Sequence, residues 1–294
     1  MRVGLIGVGL MGHGIGKNIL AKGFSLSLMA HKNRVPVDSL VSLGAKEFAS
    51  PAEIAKASDL VILCVTGTPQ VEEAIYGAKG IGEALRDGLI IADCSTAEPT
   101  STIKIAADLK ARGVHFVDTP MTRTPKEAEA GKLGLMTGGP AEIIAKIRPV
   151  LDCFADTIVH AGDVGTAHQL KLLNNFLSIG HAAMASEAIT VAAKAGVNME
   201  AFRDIVMAGG AASVMFGRLI NVPLSDDDSH AKFAIKNASK DMRYYTNMAE
   251  RLPVASFLGE TVHQLYVMAE NMGYGDRYVP RMIDVFQKIN GMKK

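Results

Sequence analysis

The sequence predicts two domains: an α/β domain with a doubly wound, mostly parallel sheet, followed by an all-α domain. In the first ~160 residues, short apolar runs alternate with amphipathic stretches, a pattern typical of strand–helix–strand units. From Gly165 to about Gly196 the chain instead shows one long helical pattern rich in Ala and Leu, and helical spacing continues after it. We place the junction near residue 162, with domains over 1–162 and 163–294 joined by the long helix.

Apolar runs predict the strands of the first domain. They lie at 2–8, 25–30, 60–65, 89–94, 115–120 and 133–139. Apolar residues at helical spacing predict the later helices of the second domain. These stretches are 198–209, 233–252 and 259–273, with breaks at 209–213 and 222–230.

The composition limits the partners of the protein. Of the 294 residues, 48% are apolar and 21% charged, and the formal net charge is +1. Such a balance indicates a globular protein without the basic surface that nucleic acid or an anionic membrane requires, so we expect a small anion as the partner. Three isolated cysteines among apolar residues and a poor secretory signal favour reduced thiols in the cytoplasm. No cluster with metal-ligand spacing is evident, and we interpret the acidic run 226–228 as a solvated loop.

A glycine motif follows the first predicted strand and opens a helical pattern. Gly7, Gly9 and Gly12 have the G-x-G-x-x-G spacing, which allows a tight turn and lets backbone N–H groups approach a pyrophosphate at a helix N-terminus. We therefore predict a dinucleotide site that also includes Leu10 and Met11.

The second predicted strand ends without an acid. A carboxylate there would bind the ribose hydroxyls of NAD, but the sequence instead has His31, Lys32 and Arg34 close together. This favours NADPH over NADH, and a solvated basic loop is the alternative.

The start of the long helix carries the catalytic candidate. Lys171, Asn174 and Asn175 follow one another closely, and Lys171 and Asn175 share a helix face. A lysine whose pKa is lowered by desolvation could exchange a proton with an alcohol or carbonyl as hydride moves. The alternative is an ordinary surface lysine. Lys240 and Asp241 form a second pair with a weaker claim from spacing alone.

Four segments in order, 4–20, 93–100, 118–139 and 165–178, resemble the β-hydroxyacid dehydrogenase family, and the "SKD" of 239–241 supports the likeness. That family includes 3-hydroxyisobutyrate dehydrogenases and the reductases of tartronate semialdehyde, glyoxylate and succinic semialdehyde. The resemblance implies a Rossmann domain, a long interdomain helix, a helical domain, and assembly as homodimers or homotetramers. It also implies reversible NAD(P)-dependent oxidation of a short 3-hydroxy acid to its semialdehyde.

The resemblance also implies roles for individual residues. Lys171 is similar to the family's catalytic lysine and Asn175 to its substrate-orienting amide, and Asn174 is expected beside the substrate. Thr96 is similar to a threonine that contacts the cofactor, and Thr66 is expected on the cofactor as well. Lys240 resembles a lysine that closes the site, and we expect it near both substrate and cofactor. A sensor of dinucleotides without chemistry is the non-enzyme alternative, but it would not need Lys171.

The segment 118–125 departs from the family pattern. Most members read D-A-P-V-S-G-G, whereas this chain has Thr122 in place of the serine, and Arg123 and Thr124 in place of the glycines. This resembles the G-R-T-S form of sulfolactaldehyde reductases, so we favour a sulfonate substrate. Three interpretations of Arg123 stay open: a ligand for a sulfonate, a ligand for a carboxylate, or a residue paired inside the protein.

Overall fold

We analysed a computed structural model, which describes residues 1–292. The chain forms two compact units, Met1–Lys171 and a second that begins at Leu172. The predicted junction near residue 162 differs from this division by nine residues (171 − 162). The reason is that one helix begins in the first unit, packs with that unit over its first turn, and then continues into the second unit.

The first unit contains one mixed sheet, and its strands within residues 1–292 are the following. They are β1 (Val3–Ile6), β2 (Leu26–Leu28), β3 (Lys46–Glu47), β4 (Leu60–Leu63), β5 (Ile90–Asp93), β6 (His115–Asp118), β7 (Met121–Thr122), β8 (Leu133–Gly138) and β9 (Ala155–Gly162). The order is β3-β2-β1-β4-β5-β6-β8-β7, and β9 also pairs with β8. All pairs are parallel except those of β8 with β6 and β7. The mostly parallel sheet confirms the predicted class.

Helices connect the strands of the first unit. They are α1 (Leu10–Ala21), α2 (Val35–Ser42), α3 (Pro51–Ala57), α4 (Thr68–Tyr76), α5 (Pro99–Ala111), α6 (Pro125–Glu129) and α7 (Ala141–Leu151). Alternate residues of one strand enter different cores: Leu60 and Ile62 of β4 join one apolar cluster, and Val61 and Leu63 join another. Burial on both faces explains why the central strands are continuous apolar runs, which made them predictable.

Three strands were not predicted, and two of them have exposed edges. Both residues of β3 are exposed, and β9 mixes apolar and polar residues, most of them at least partly exposed. The third, β7, has only two half-buried residues. An edge strand is not buried on both faces, so it lacks the apolar run that identifies a central strand.

The second unit is helical, as predicted. It continues α8 (Thr166–Lys194) and adds α9 (Met199–Ala208), α10 (Val214–Leu219), α11 (Asn221–Ser225), α12 (Ile235–Arg251), α13 (Phe257–Ala269) and α14 (Met282–Ile289). The predicted break at 209–213 is not helical, whereas the break at 222–230 is partly helical because it overlaps α11, which buries Val222. The short helix α10, which buries Phe216 and Leu219, was not predicted.

The helix α8 is long and apolar enough to cross a membrane, and it alone meets that test among the described residues. Of its most apolar 18-residue window, 44% is buried inside the protein. A core helix meets the same criteria, so its length and composition are weak indications of a membrane span.

Candidate active site

The glycine turn between β1 and α1 has the geometry of a dinucleotide site. Gly7 has φ +103°, and a Cβ there would collide with the carbonyl of Cys64. A Cβ at Gly12 would collide with the carbonyl of Gly7, whereas the space above Gly9 is open. No side chain caps α1 at Gly9, and its first turn carries no acid. The turn therefore fits a pyrophosphate close to its backbone N–H groups. Leu10 and Met11 form the first residues of this helix.

The basic cluster after β2 is divided by an ion-pair network. His31 and Lys32 are exposed. The Arg34 guanidinium lies 2.9 and 3.0 Å from the Glu47 carboxylate, and 2.9 Å from Asp38 Oδ1. These contacts raise the pKa of Arg34 and compensate its charge. The strand β3 brings Glu47 to this position, and the sequence pattern did not indicate that strand.

The cofactor candidates Thr66 and Thr96 follow neighbouring parallel strands. Thr66 lies just past β4 and is exposed, and Thr96 lies just past β5 and is half-buried. The two segments are joined by a hydrogen bond from the backbone N–H of Val65 to Ser95 Oγ, at 3.0 Å. Both threonines thus lie at the carboxyl ends of strands, the edge of a parallel sheet where ligands bind.

Two threonines of the segment 118–125 take part in local hydrogen bonds. The Thr122 hydroxyl in β7 donates to the carbonyl of Gly134, at 3.3 Å. Thr124 precedes α6, and both its backbone N–H and its hydroxyl donate to Glu127 Oε2, at 3.0 and 2.5 Å. These bonds fix the turn between β7 and α6.

Arg123 is held by groups of the same unit. Its Nη1 lies 2.7 and 2.8 Å from the two carboxylate oxygens of Asp156 and also donates to the Lys132 carbonyl, while Nη2 donates to Thr157 Oγ1 at 3.2 Å. The pair is solvent-accessible, with side chains 37% and 43% exposed. The backbone of Arg123 has φ +79°, a left-handed conformation that favours glycine. The family resemblance implies glycine at this position, and the arginine adopts the strained turn nonetheless.

The amide of Asn175 has a fixed orientation. Its Nδ2 donates to Asp241 Oδ2 at 2.6 Å, and its Oδ1 accepts from Asn174 Nδ2 at 3.2 Å. Asn175 is buried, whereas Lys171, one turn earlier on α8, is half-buried. Because one proton of Nδ2 binds Asp241, the second is left as a donor for another oxygen.

Lys240 shares the same carboxylate. Its Nζ lies 2.7 Å from Asp241 Oδ1 and 4.8 Å from the centre of the Tyr244 ring. The side chains of Lys240 and Asp241 are only 14% and 2% exposed. Spacing alone gave Asp241 a weak claim, yet this carboxylate connects Asn175 with Lys240. The separation of 66 residues between Asn175 and Asp241 explains why no local pattern indicated the contact.

The acidic run 226–228 lies in a solvated loop, with the Asp226 side chain 84% exposed, and two of its carboxylates also pair with an arginine. Asp226 and Asp228 bind the guanidinium of Arg281 at 2.5 and 2.7 Å. Asp227 accepts from the backbone N–H of Ser229 at 2.8 Å. Within residues 1–292, no group of three or more His, Cys, Asp or Glu side chains could hold a metal ion.

Comparison with known proteins accounts for both parts of the chain. Residues 2–162 match the family model of the NAD binding domain of 6-phosphogluconate dehydrogenase. Residues 165–286 match that of the NAD-binding domain of NADP-dependent 3-hydroxyisobutyrate dehydrogenase. The chain therefore belongs to the β-hydroxyacid dehydrogenase family and is an NAD(P)-dependent oxidoreductase.

Characterised relatives act on several small hydroxy acids. The chain is 31% identical to 3-sulfolactaldehyde reductase of Escherichia coli over 93% of this chain and 91% of that protein. It is 27% identical to 2-(hydroxymethyl)glutarate dehydrogenase of Eubacterium barkeri, over 99% and 97% of the two chains.

The solved structures show the same fold. 3-Hydroxyisobutyrate dehydrogenase of Salmonella typhimurium superimposes with a TM-score of 0.87 at 26% identity, over 97% of this chain and 99% of that one. Psf3, solved with NADP+ and 2-OPP, gives a TM-score of 0.86 at 23% identity, over 96% and 99% of the chains. The long helix and the helical second unit are thus features of the family.

Proposed function

We propose that this enzyme reduces a short aldehyde bearing a sulfonate or carboxylate to the corresponding 3-hydroxy acid, in a reversible reaction, with a sulfonate such as 3-sulfolactaldehyde favoured. The Thr122–Arg123–Thr124 variant of the substrate segment and the 31% identity to 3-sulfolactaldehyde reductase support this choice. The carboxylate alternatives are methylmalonate semialdehyde (the oxidised form of 3-hydroxyisobutyrate), tartronate semialdehyde, succinic semialdehyde and glyoxylate.

The orientation of Asn175 is the observation that carries the proposed chemistry. The cofactor supplies hydride to the carbonyl carbon. Asn175, held by Asp241 at 2.6 Å, donates its second amide proton to the carbonyl oxygen. Lys171 lies four residues earlier on the same helix and gives a proton to that oxygen as the alcohol forms. Asn174 orients Asn175, and Lys240 keeps the Asp241 carboxylate in place.

For the anionic end of the substrate, we assign the backbone of the turn and the Thr122 hydroxyl, which would exchange its bond to the Gly134 carbonyl for one to the anion. Arg123 is already paired with Asp156 at 2.7 Å, which supports the interpretation of a residue paired inside the protein. In this proposal Arg123 maintains the shape of the turn, and Thr124 does so through Glu127. Direct contact of Arg123 with a sulfonate or carboxylate stays a prediction that substitution can test.

NADPH is the proposed cofactor. The exposed His31 and Lys32 can meet a 2′-phosphate, whereas Arg34 would have to exchange its contacts with Glu47 and Asp38. Glu47→Gln should therefore strengthen NADPH binding, because the Arg34 guanidinium loses its charged partner Glu47 and becomes available to the 2′-phosphate. If the variant binds NADPH equally well or more weakly, Arg34 is not part of the cofactor site.

A homodimer or homotetramer in the cytoplasm completes the proposal. Leu170, Leu177, Met184 and Val191 are exposed and recur every seven residues along α8, which suits packing against a second helix. The three cysteines are free thiols, in keeping with a reducing compartment.

A panel of aldehydes tests the function directly. The purified enzyme is assayed with NADPH and with NADH against 3-sulfolactaldehyde, succinic semialdehyde, glyoxylate, methylmalonate semialdehyde and tartronate semialdehyde. We expect the highest kcat/KM for the sulfonate with NADPH. A higher kcat/KM for one of the carboxylate aldehydes would make that aldehyde the favoured substrate. If none of the five aldehydes is turned over, the proposed substrate class is refuted.

A further inference from the structure

A fully buried histidine lies in the first turn of α8, three residues before Lys171. The His168 ring is 0% exposed and binds groups from two other segments of the first unit. Its Nε2 lies 3.1 Å from the carbonyl oxygen of Ser95, and its Nδ1 lies 2.8 Å from Thr102 Oγ1. A carbonyl can only accept, so Nε2 carries a proton and donates it to Ser95.

Two buried carboxylates flank this ring. Asp93 Oδ2 lies 3.9 Å from Nε2, and Asp118 Oδ2 lies 4.0 Å from Nδ1. Asp118 also accepts the backbone N–H groups of Gly165 and His168, at 2.8 and 2.9 Å. The carboxylate thus binds the start of α8 directly, where the orphan N–H groups of a helix need acceptors.

Asp93 completes the arrangement. Its Oδ1 accepts the backbone N–H of Ser95 at 2.9 Å, whereas its Oδ2 is buried without a hydrogen-bond partner. Burial raises the pKa of this carboxyl, and the nearby His168 opposes that effect. A buried carboxylate oxygen that makes no hydrogen bond is costly, and the dipole of the His168 Nε2–H group, whose nitrogen lies 3.9 Å away, partly compensates it.

These contacts join the three segments that carry the proposed chemistry. Ser95 immediately precedes Thr96, the predicted cofactor contact. Asp118 ends β6 and begins the segment that contains Thr122. His168 is nearly one turn from Lys171 on a continuous helix. A change in the ring's position would therefore move the lysine relative to both other segments.

We infer that His168 is a positioning residue: through its bonds to Ser95 and Thr102 it fixes the first turn of α8, and so orients the Lys171 amine toward the reacting oxygen. This inference rests on the proposed role of Lys171. Asp118 assists by anchoring the helix backbone. Since a displacement of about 1 Å in a reacting group can reduce turnover on the order of 100-fold, a buried anchor this close to the lysine has a large effect on the rate.

Two substitutions of His168 test the inference. His168→Leu removes both ring contacts at similar volume, and His168→Gln keeps an amide donor for the Ser95 carbonyl. With NADPH and 3-sulfolactaldehyde, or the aldehyde of the panel that is reduced fastest, we expect kcat of His168→Leu to fall about 100-fold with little change in the Kd of NADPH. His168→Gln should recover most of the lost rate.

Thr102→Val provides a second variant in case His168→Leu does not fold. It removes the hydroxyl that meets Nδ1 and should lower kcat in the same direction. The matched control is Thr190→Val, which deletes another buried hydroxyl of α8 that bonds to the Ser186 carbonyl at 2.8 Å. A kcat unchanged from wild type in both Thr102→Val and the folded His168 variants would overturn the inference. An equal fall in Thr190→Val would also overturn it, because general destabilisation would then explain the loss.

Amide hydrogen exchange separates this inference from the proposed function. Exchange of the amides at positions 165 and 168 should accelerate in His168→Leu, because the first turn of α8 loses the ring contacts to Ser95 and Thr102 and keeps its bonds to Asp118. If His168→Leu shows faster exchange but a wild-type kcat, His168 is a purely structural residue, and the proposed role of Lys171 is unaffected. Retained turnover in Lys171→Ala, in contrast, would refute the role of the lysine itself.

Discussion

Two cation–aspartate pairs in this enzyme differ in burial, and the difference indicates which sequence features are informative. Arg123 and Asp156 form a pair in the first unit that solvent reaches. Lys240 and Asp241 form a pair in the second unit that is nearly fully buried. The exposed pair is worth little to stability, whereas breaking the buried one removes a charged partner at a place that water hardly reaches.

The buried pair also fixes a functional group. Asp241 holds the Asn175 amide at 2.6 Å, so loss of the carboxylate affects the site as well as the fold. Asp156, in contrast, constrains a turn through Arg123. Variation should therefore be tolerated at the exposed pair and be harmful at the buried one.

The largest effect is expected at the lysine four residues before Asn175 on α8. Lys171→Ala removes the proposed proton donor, so kcat should fall about 1000-fold while the Kd of NADPH is retained. Steady-state kinetics and a fluorescence titration of NADPH measure the two quantities. Lys194→Ala, at the other end of α8, is the control and should retain activity. Comparable turnover in the two variants would contradict the role of Lys171.

The second effect separates buried from exposed pairs on one helix. Asp241→Asn should lower the free energy of unfolding by about 3 kcal/mol, because the nearly buried Lys240 loses the carboxylate charge 2.7 Å from its Nζ. Asp276→Asn is the control, since it removes the partner of the exposed Lys236, also on α12, at 2.5 Å. Urea denaturation of both variants measures the difference. Equal losses would show that burial of the pair does not determine its contribution.

The fold was predictable where burial produces a pattern. The central strands β1, β4 and β5 are apolar runs because both faces of the sheet are covered, and α8 lacks a proline or glycine break in its first three turns. The edges β3 and β9 lack this signal. Since Glu47 of β3 pairs with Arg34, the failure to predict one edge strand also affected the interpretation of the cofactor site.

The site was predictable only where its groups are close in sequence. Lys171 and Asn175 share one helix, so spacing placed them together. The partners of Arg123 and His168 come from strands and loops tens of residues away, such as Asp156 and Ser95. No local pattern encodes such contacts, because tertiary packing decides which of many acidic or polar groups meets a given side chain.

A smaller effect should distinguish the interpretations of Arg123. If Arg123 acts through Asp156 on the turn, Asp156→Asn and Arg123→Gly should change kcat/KM by similar factors for sulfonate and carboxylate aldehydes alike. If the guanidinium binds the substrate's anion, Arg123→Gly should raise KM selectively for one anion, and Asp156→Asn should lower it. Arg148→Gly, which breaks the exposed pair with Asp152 at 2.6 Å, is the matched control.

The smallest effect concerns pH and the exposed pair. The hydrogen bond from Arg123 lowers the pKa of Asp156 below its ordinary value of about 3.9. A carboxylate with a lowered pKa contributes stability above its unfolded pKa, and this contribution is lost as the pH falls through the folded pKa. The Tm difference between wild type and Asp156→Asn should therefore be small at pH 7 and decrease as the pH falls below about 3.9. A difference that persists in acid would mean that the carboxylate charge is not its source, and that the turn depends on Asp156 through its neutral contacts alone.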